Sequence, residues 1–134
     1  MKNFALTSDM LTMGGIFYPR GYAFIMFPDA AAAEKAGGSL GHQPNSGTEV
    51  TFLSAAVVLK EIGKVDGDSD IDLPSIGTEG GTIQRYIDLA RKGQCALMVK
   101  VDSDEETERV MKVARLASFS YAQRYHLLAI EDLE

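Results

Sequence analysis

Shifted against itself by 74 residues, the chain repeats one arrangement of elements. Tyr22–Phe27 falls on Ala96–Val101, Glu34-Lys35 on Glu108-Arg109, and Thr48–Leu53 on Ala122–Leu127. Few residues are identical, yet strand, helix and strand arrive in the same order in both halves. Each half is too small to bury an apolar face alone, so the two must share one core. That excludes two independent domains and points to a single sheet built from both units.

The local signals agree. Tyr22–Phe27 (YAFIMF) follows the turn Pro19-Arg20-Gly21 and reads as a strand. Pro28-Asp29 opens an Ala-rich helix expected to stop at Gly37-Gly38. Glu49–Leu53 reads as a second strand, and Ser54 can cap a brief helix after it. Ile83, Tyr86, Ile87 and Ala90 recur at helical spacing, and Gly93 ends that helix. Ala96–Val101 is a third strand. Ser103 and Glu106 fit a capping box ahead of a helix over 104–117, and Tyr125–Ile130 is the fourth strand.

The expected fold is an α+β ferredoxin-like sandwich. It has duplicated strand-helix-strand units, one antiparallel four-stranded sheet with helices on one face, and an N-terminal arm. One domain spans 1–134. Within it, 1–18 is an arm or extra strand, 20–62 the first half, 63–81 an acidic, glycine-rich connection, and 82–134 the second half.

Residues 20–134 resemble a group of small bacterial ferredoxin-like proteins, some called general stress proteins. The resemblance rests on a strand ending in Phe27-Pro28-Asp29 before an Ala-rich helix, and on the later run from Val101 to Val110 (VDSDEETERV). It implies the fold and a stress-linked role, and it carries no catalytic residue.

Composition narrows the function. With 46% hydrophobic residues and 134 positions the chain can build a core without metal or disulfide staples. Cys95 stands alone, and no apolar run reaches the ~18 residues of a membrane span. The N-terminus lacks the unbroken apolar stretch of a secretory signal, so a cytoplasmic location and no membrane partner are expected. The net charge is −6; residues 61–134 carry nine positive and fifteen negative groups, which repel nucleic-acid phosphates and argue against DNA.

The sharpest motif is Arg20–Phe27 (RGYAFIMF), which resembles the ribonucleoprotein octapeptide of RNA-recognition domains. By strand alternation Arg20, Tyr22, Phe24 and Met26 face one side, expected to be open, and Ala23, Ile25 and Phe27 pack beneath the helices. In the duplicated register Ala96, Met98 and Lys100 join the open face. Such an apolar patch calls for a cover: the arm (Ile16, Phe17, Tyr18), a second copy of the sheet, or unpaired bases stacked on the rings. The expectation is a non-enzymatic, self-associating homodimer with a regulatory role. The alternative is single-stranded RNA binding through Arg20, Tyr22, Phe24, Met26, Met98 and Lys100, which the net charge disfavours.

A second alternative is a small anion or nucleotide at the Gly77–Gly81 turn. Free amides there precede a helix, and Thr78, Gly80, Gly81, Thr82 and Arg85 are the candidate residues. The aspartates at 66, 68, 70 and 72 match the opening of a calcium loop, but Ile71 and Gly77 stand where a glycine and a bidentate glutamate are needed. No metal or cofactor is therefore expected. His42 and His126 form no metal-spaced pair, Cys95 reads as a packed hydrophobe, and no catalytic residue is assigned. In helix 104–117, acidic residues lead and basic ones follow, with Glu105–Arg109 and Glu108–Lys112 pairs expected on a solvated face.

Overall fold

Six consecutive residues of alternating facing, Tyr22–Phe27, form the central strand β2. A computed structural model describes residues 2–3, 17–41, 49–62, 78–126 and 130–133. Its other elements are β1 (Lys2–Asn3), α1 (Ala30–Gly41), β3 (Val50–Leu53), the short α2 (Ala55–Val57) and a π-helical turn, Val58–Ile62. Then come α3 (Thr78–Arg91), β4 (Cys95–Lys100), α4 (Asp104–Leu116), β5 (Tyr121–Tyr125) and β6 (Ile130–Asp132).

The sheet has the order β1-β3-β4-β2-β5-β6. Among the described residues, β2 pairs antiparallel with β4 and β5, β3 with β4, and β5 with β6; only β1 on β3 is parallel. The fold is thus mixed α+β, with a mainly antiparallel sheet of six strands where four were expected. The two additions are short edge strands. β1 realises the extra strand foreseen in the arm, and β6 arises because the fourth strand ends early. Tyr121–Tyr125 forms it, displaced from the expected Tyr125–Ile130, since its polar Gln123 and Arg124 conceal a buried strand.

The larger correction concerns the faces. Ala23, Ile25, Phe27, Leu97 and Val99 pack on one side against Ala33, Ala36 and Leu40 of α1 and Val110, Met111 and Ala114 of α4. Phe24, Met26, Ala96 and Met98 pack on the other side against Val58 and Ile62 of the π-helical turn and Ile83, Tyr86, Ile87 and Ala90 of α3. Helices therefore cover both faces. α2, the π-helical turn and α3 lie in the connection between β3 and β4, where a hairpin loop would have left the second face bare.

Helix ends follow local chemistry. Asp29 accepts a hydrogen bond from the Ala32 amide at 2.8 Å, Ser54 from Val57 at 3.2 Å, and Ser103 from Glu106 at 3.1 Å. Glu106 completes its box by accepting from the Asp102 amide, 3.0 Å. α1 runs past Gly37-Gly38 to Gly41, where a stop was expected, because its buried stripe continues from Ala33 and Ala36 to Leu40. Gly21, at φ 82°, occupies the third position of the turn in which Tyr22 donates to the Pro19 carbonyl, 3.1 Å.

Candidate functional site

Three of the six residues proposed for an open interaction face, Phe24, Met26 and Met98, lie in the interior. Phe24 and Met26 have no exposed surface and Met98 is buried. Phe24 packs on Tyr86 of α3 at 4.2 Å between ring centroids and meets Phe17 edge-on at 5.7 Å. Tyr18 closes the cluster against Tyr125 at 4.9 Å, and the Tyr86 and Tyr125 hydroxyls share a buried hydrogen bond of 2.8 Å. Tyr22 is half-buried and donates to Glu49 Oε2 at 3.1 Å. Arg20 is exposed with its guanidinium 5.9 Å from the Tyr18 ring, and Lys100 is exposed at the end of β4. The alternation is as expected, but one chain supplies its own cover, part arm and part α3. Stacked bases or a second sheet have no bare platform on this face.

The glycine-rich turn is also different. Thr78, Gly80 and Gly81 belong to the first turn of α3, which begins four residues earlier than expected. Thr82 is buried and engaged, whereas Arg85 is exposed with its guanidinium 5.4 Å from the Tyr121 ring. The structure sends these two side chains to different environments. Gly77, the acidic run 66–72, Ile16 and His42 lie outside the described residues.

A different feature gathers chemistry. A cleft of about 260 Å³ opens between α4, β5 and β6, lined by Asp104, Thr107, Glu108, Met111, Arg115, Arg124, Glu131 and Leu133. The α4 members recur every three or four residues, so a single helical stripe supplies them. Arg124 comes from β5. It shares the face of Ala122 by alternation, which turns it beneath α4, and it sits directly opposite Glu131 of β6 in the strand register.

Arg124 is 9% exposed. Its Nη1 donates to Asp104 Oδ1 at 2.6 Å, while the Asp104 side chain is 97% exposed. A guanidinium is always charged and presents five donors, so burial without an anion would be costly. Asp104 supplies that anion from the first turn of α4, where the helix dipole also favours a carboxylate.

Arg115 forms a forked pair with Glu108, at 2.9 and 3.5 Å. This replaces the expected Glu108–Lys112 contact, since two helical turns let the longer Arg fork reach both carboxylate oxygens. That hydrogen bond and the Arg115 charge hold the Glu108 carboxyl below its ordinary value, and the bond to Glu108 raises Arg115 in turn. The pair is solvent-exposed. Its modest support is present above the ordinary carboxylate range and fades as pH falls through the lowered value. Glu131 Oε1 accepts a hydrogen bond from His126 Nε2 at 2.8 Å, and Thr107 donates its hydroxyl to the Ser103 carbonyl at 2.9 Å. Cys95 is buried and lies apart from these groups in the core beside Leu97 and Val99.

Among the described residues no cluster of three or more His, Cys, Asp or Glu is arranged to hold a metal ion, and no helix is long and apolar enough to cross a membrane. No protein-family model, curated protein or solved structure matches the chain. Arg124 escaped the sequence reading because it fell ahead of the expected fourth strand. The usable signal was the alternation Tyr121, Gln123, Tyr125 against Ala122, Arg124, which marks a strand with one charged residue on its buried side.

Proposed function

We propose that this chain is a non-catalytic binding protein on a duplicated ferredoxin-like frame, and that the α4–β5–β6 cleft receives a small carboxylate-bearing ligand. The frame is supported by the central pairing. Phe24 faces Met98, 74 residues on, and the same offset turns the pair Tyr22–Lys100 into Ala96–Met26. Both α1 and α4 cross over the same face, each between two strands of its own half.

The binding reading is carried by Arg124. A buried cation whose partner is a nearly fully exposed carboxylate is a site of exchange. A ligand carboxylate can take the place of Asp104, which returns to water at little cost because it was hydrated already. The cleft offers Met111 and Leu133 as apolar contacts beside the charge. The Thr107 hydroxyl is committed to a backbone carbonyl and so is not poised as a nucleophile, which favours binding over turnover.

Thermal unfolding in the presence of a panel of small carboxylates tests this. At least one should raise the midpoint in proportion to the logarithm of its concentration, as linkage requires. The rise should vanish in Arg124→Met, a change that removes the charge while keeping the stem volume. No stabilisation by any carboxylate, or full stabilisation of Arg124→Met, would remove the proposal.

A further inference from the structure

We infer that the ligand of this cleft is a zwitterion, an amino acid with an aliphatic side chain, and not a simple anion. The inference rests on the carboxylate site proposed above and adds the remaining chemistry of its walls. Two guanidiniums, Arg115 and Arg124, stand with three carboxylates, Asp104, Glu108 and Glu131. The lining therefore carries one more negative than positive charge, and a phosphate or dicarboxylate would meet net repulsion there.

A carboxylate seated on Arg124 lies next to Glu131. The two residues are direct cross-strand partners, and such pairs have their Cβ atoms about 5 Å apart. An ammonium on the carbon next to the ligand carboxylate would fall within reach of Glu131. The Glu131 carboxylate uses one oxygen toward His126 and has further acceptor positions. A zwitterion thus replaces the charge of Asp104 on one side and adds a cation beside Glu131. The third wall is apolar: Met111 is buried in the floor and Leu133 half-buried at the rim.

A cleft of about 260 Å³ has room for a molecule of leucine's size, which makes leucine a suitable probe.

Calorimetric titration of the intact protein with L-leucine, isocaproate and isoamylamine separates the contributions. The second compound keeps the carbon frame and carboxylate without the amine, and the third keeps the amine without the carboxylate. L-leucine should bind at least tenfold more tightly than either. Glu131→Gln should lower leucine affinity to the level of isocaproate and should not weaken isocaproate, whose repulsion by Glu131 it removes. Asp104→Asn, with its fold checked by circular dichroism because it takes the anion from Arg124, should raise the affinity for both carboxylates several-fold by removing the internal competitor. Isocaproate binding as tightly as leucine overturns the zwitterion while the carboxylate site stands. Binding of isoamylamine as tight as leucine, or an Asp104→Asn protein with unchanged affinities, overturns both; no binding by any of the three overturns the aliphatic zwitterion, and the carboxylate panel then decides the site.

Discussion

Ser118 stands at the position after the α4 cap with φ 59°, and Gly93 stands at the same position after α3 with φ 90°. Both helices end alike. Ser118 donates to the Arg115 carbonyl and Phe119 to Ala114, each at 3.1 Å; Gly93 donates to Ala90 at 2.9 Å and Gln94 to Leu89 at 3.2 Å. This is the paired-bond ending that favours glycine at its left-handed residue. A serine there carries a steric cost of about 1–2 kcal/mol, partly offset by the greater freedom a glycine has when unfolded. Ser118→Gly should therefore stabilise the protein by about 0.5–1 kcal/mol, roughly 2–5 °C in Tm. Gly93→Ala should lose a similar amount, although nothing lies within 4 Å of the added Cβ. Thermal unfolding of the two variants checks this; a lower Tm for Ser118→Gly would contradict it. Several residue-scale signals of this kind were legible in the sequence because the bond is local. Ser54, Ser103 and Gly93 announce their roles through neighbours within four positions. Arg124 did not, because its partner Asp104 lies twenty residues away.

At the scale of elements, the alternation of β2 was legible and its consequence was not. Phe24 and Tyr22 share a face by parity, but α3 and Phe17 bury the first completely and leave the second half-exposed at the strand end. Phe24→Ala should cost about 3–5 kcal/mol, the range for emptying a full aromatic site in a packed core. Tyr22→Ala should cost clearly less, since its hydroxyl bonds the partly exposed Glu49 at the rim. Chemical denaturation of both variants measures the difference, and equal losses would mean that the face is not closed over Phe24. The helix that closes it was itself readable: Ile83, Tyr86, Ile87 and Ala90 form an apolar stripe that requires a surface. Its placement on the opposite layer from α1 and α4 was not readable, because periodicity fixes which side of a helix is buried and says nothing of which side of the sheet receives it. Gln123 and Arg124 hid β5 for a related reason. Polar residues signal exposure until a tertiary partner satisfies them.

For the whole molecule, the three-layer arrangement sets an order of stability. β2 is hydrogen-bonded along both edges, by β4 and β5, and β4 likewise by β2 and β3. These two strands form the centre of both cores and can open only when the sheet itself opens. α3 belongs to one core only and is joined to β4 by the short link around Gly93. Undocking α3 exposes Phe24, Met26, Ala96 and Met98 but leaves the β2–β4 ladder and the α1–α4 layer paired. Native-state hydrogen exchange should therefore show the α3 amides opening at lower free energy, and with a smaller denaturant dependence, than those of β2 and β4. Addition of a ligand to the α4–β5–β6 cleft should protect α4 and β5 and leave that opening of α3 unchanged, since the cleft lies on the other side of the sheet. If α3 instead exchanges with the free energy and denaturant slope of the central strands, the covering helix and the sheet form one cooperative unit. The apolar face is then bared only on global unfolding.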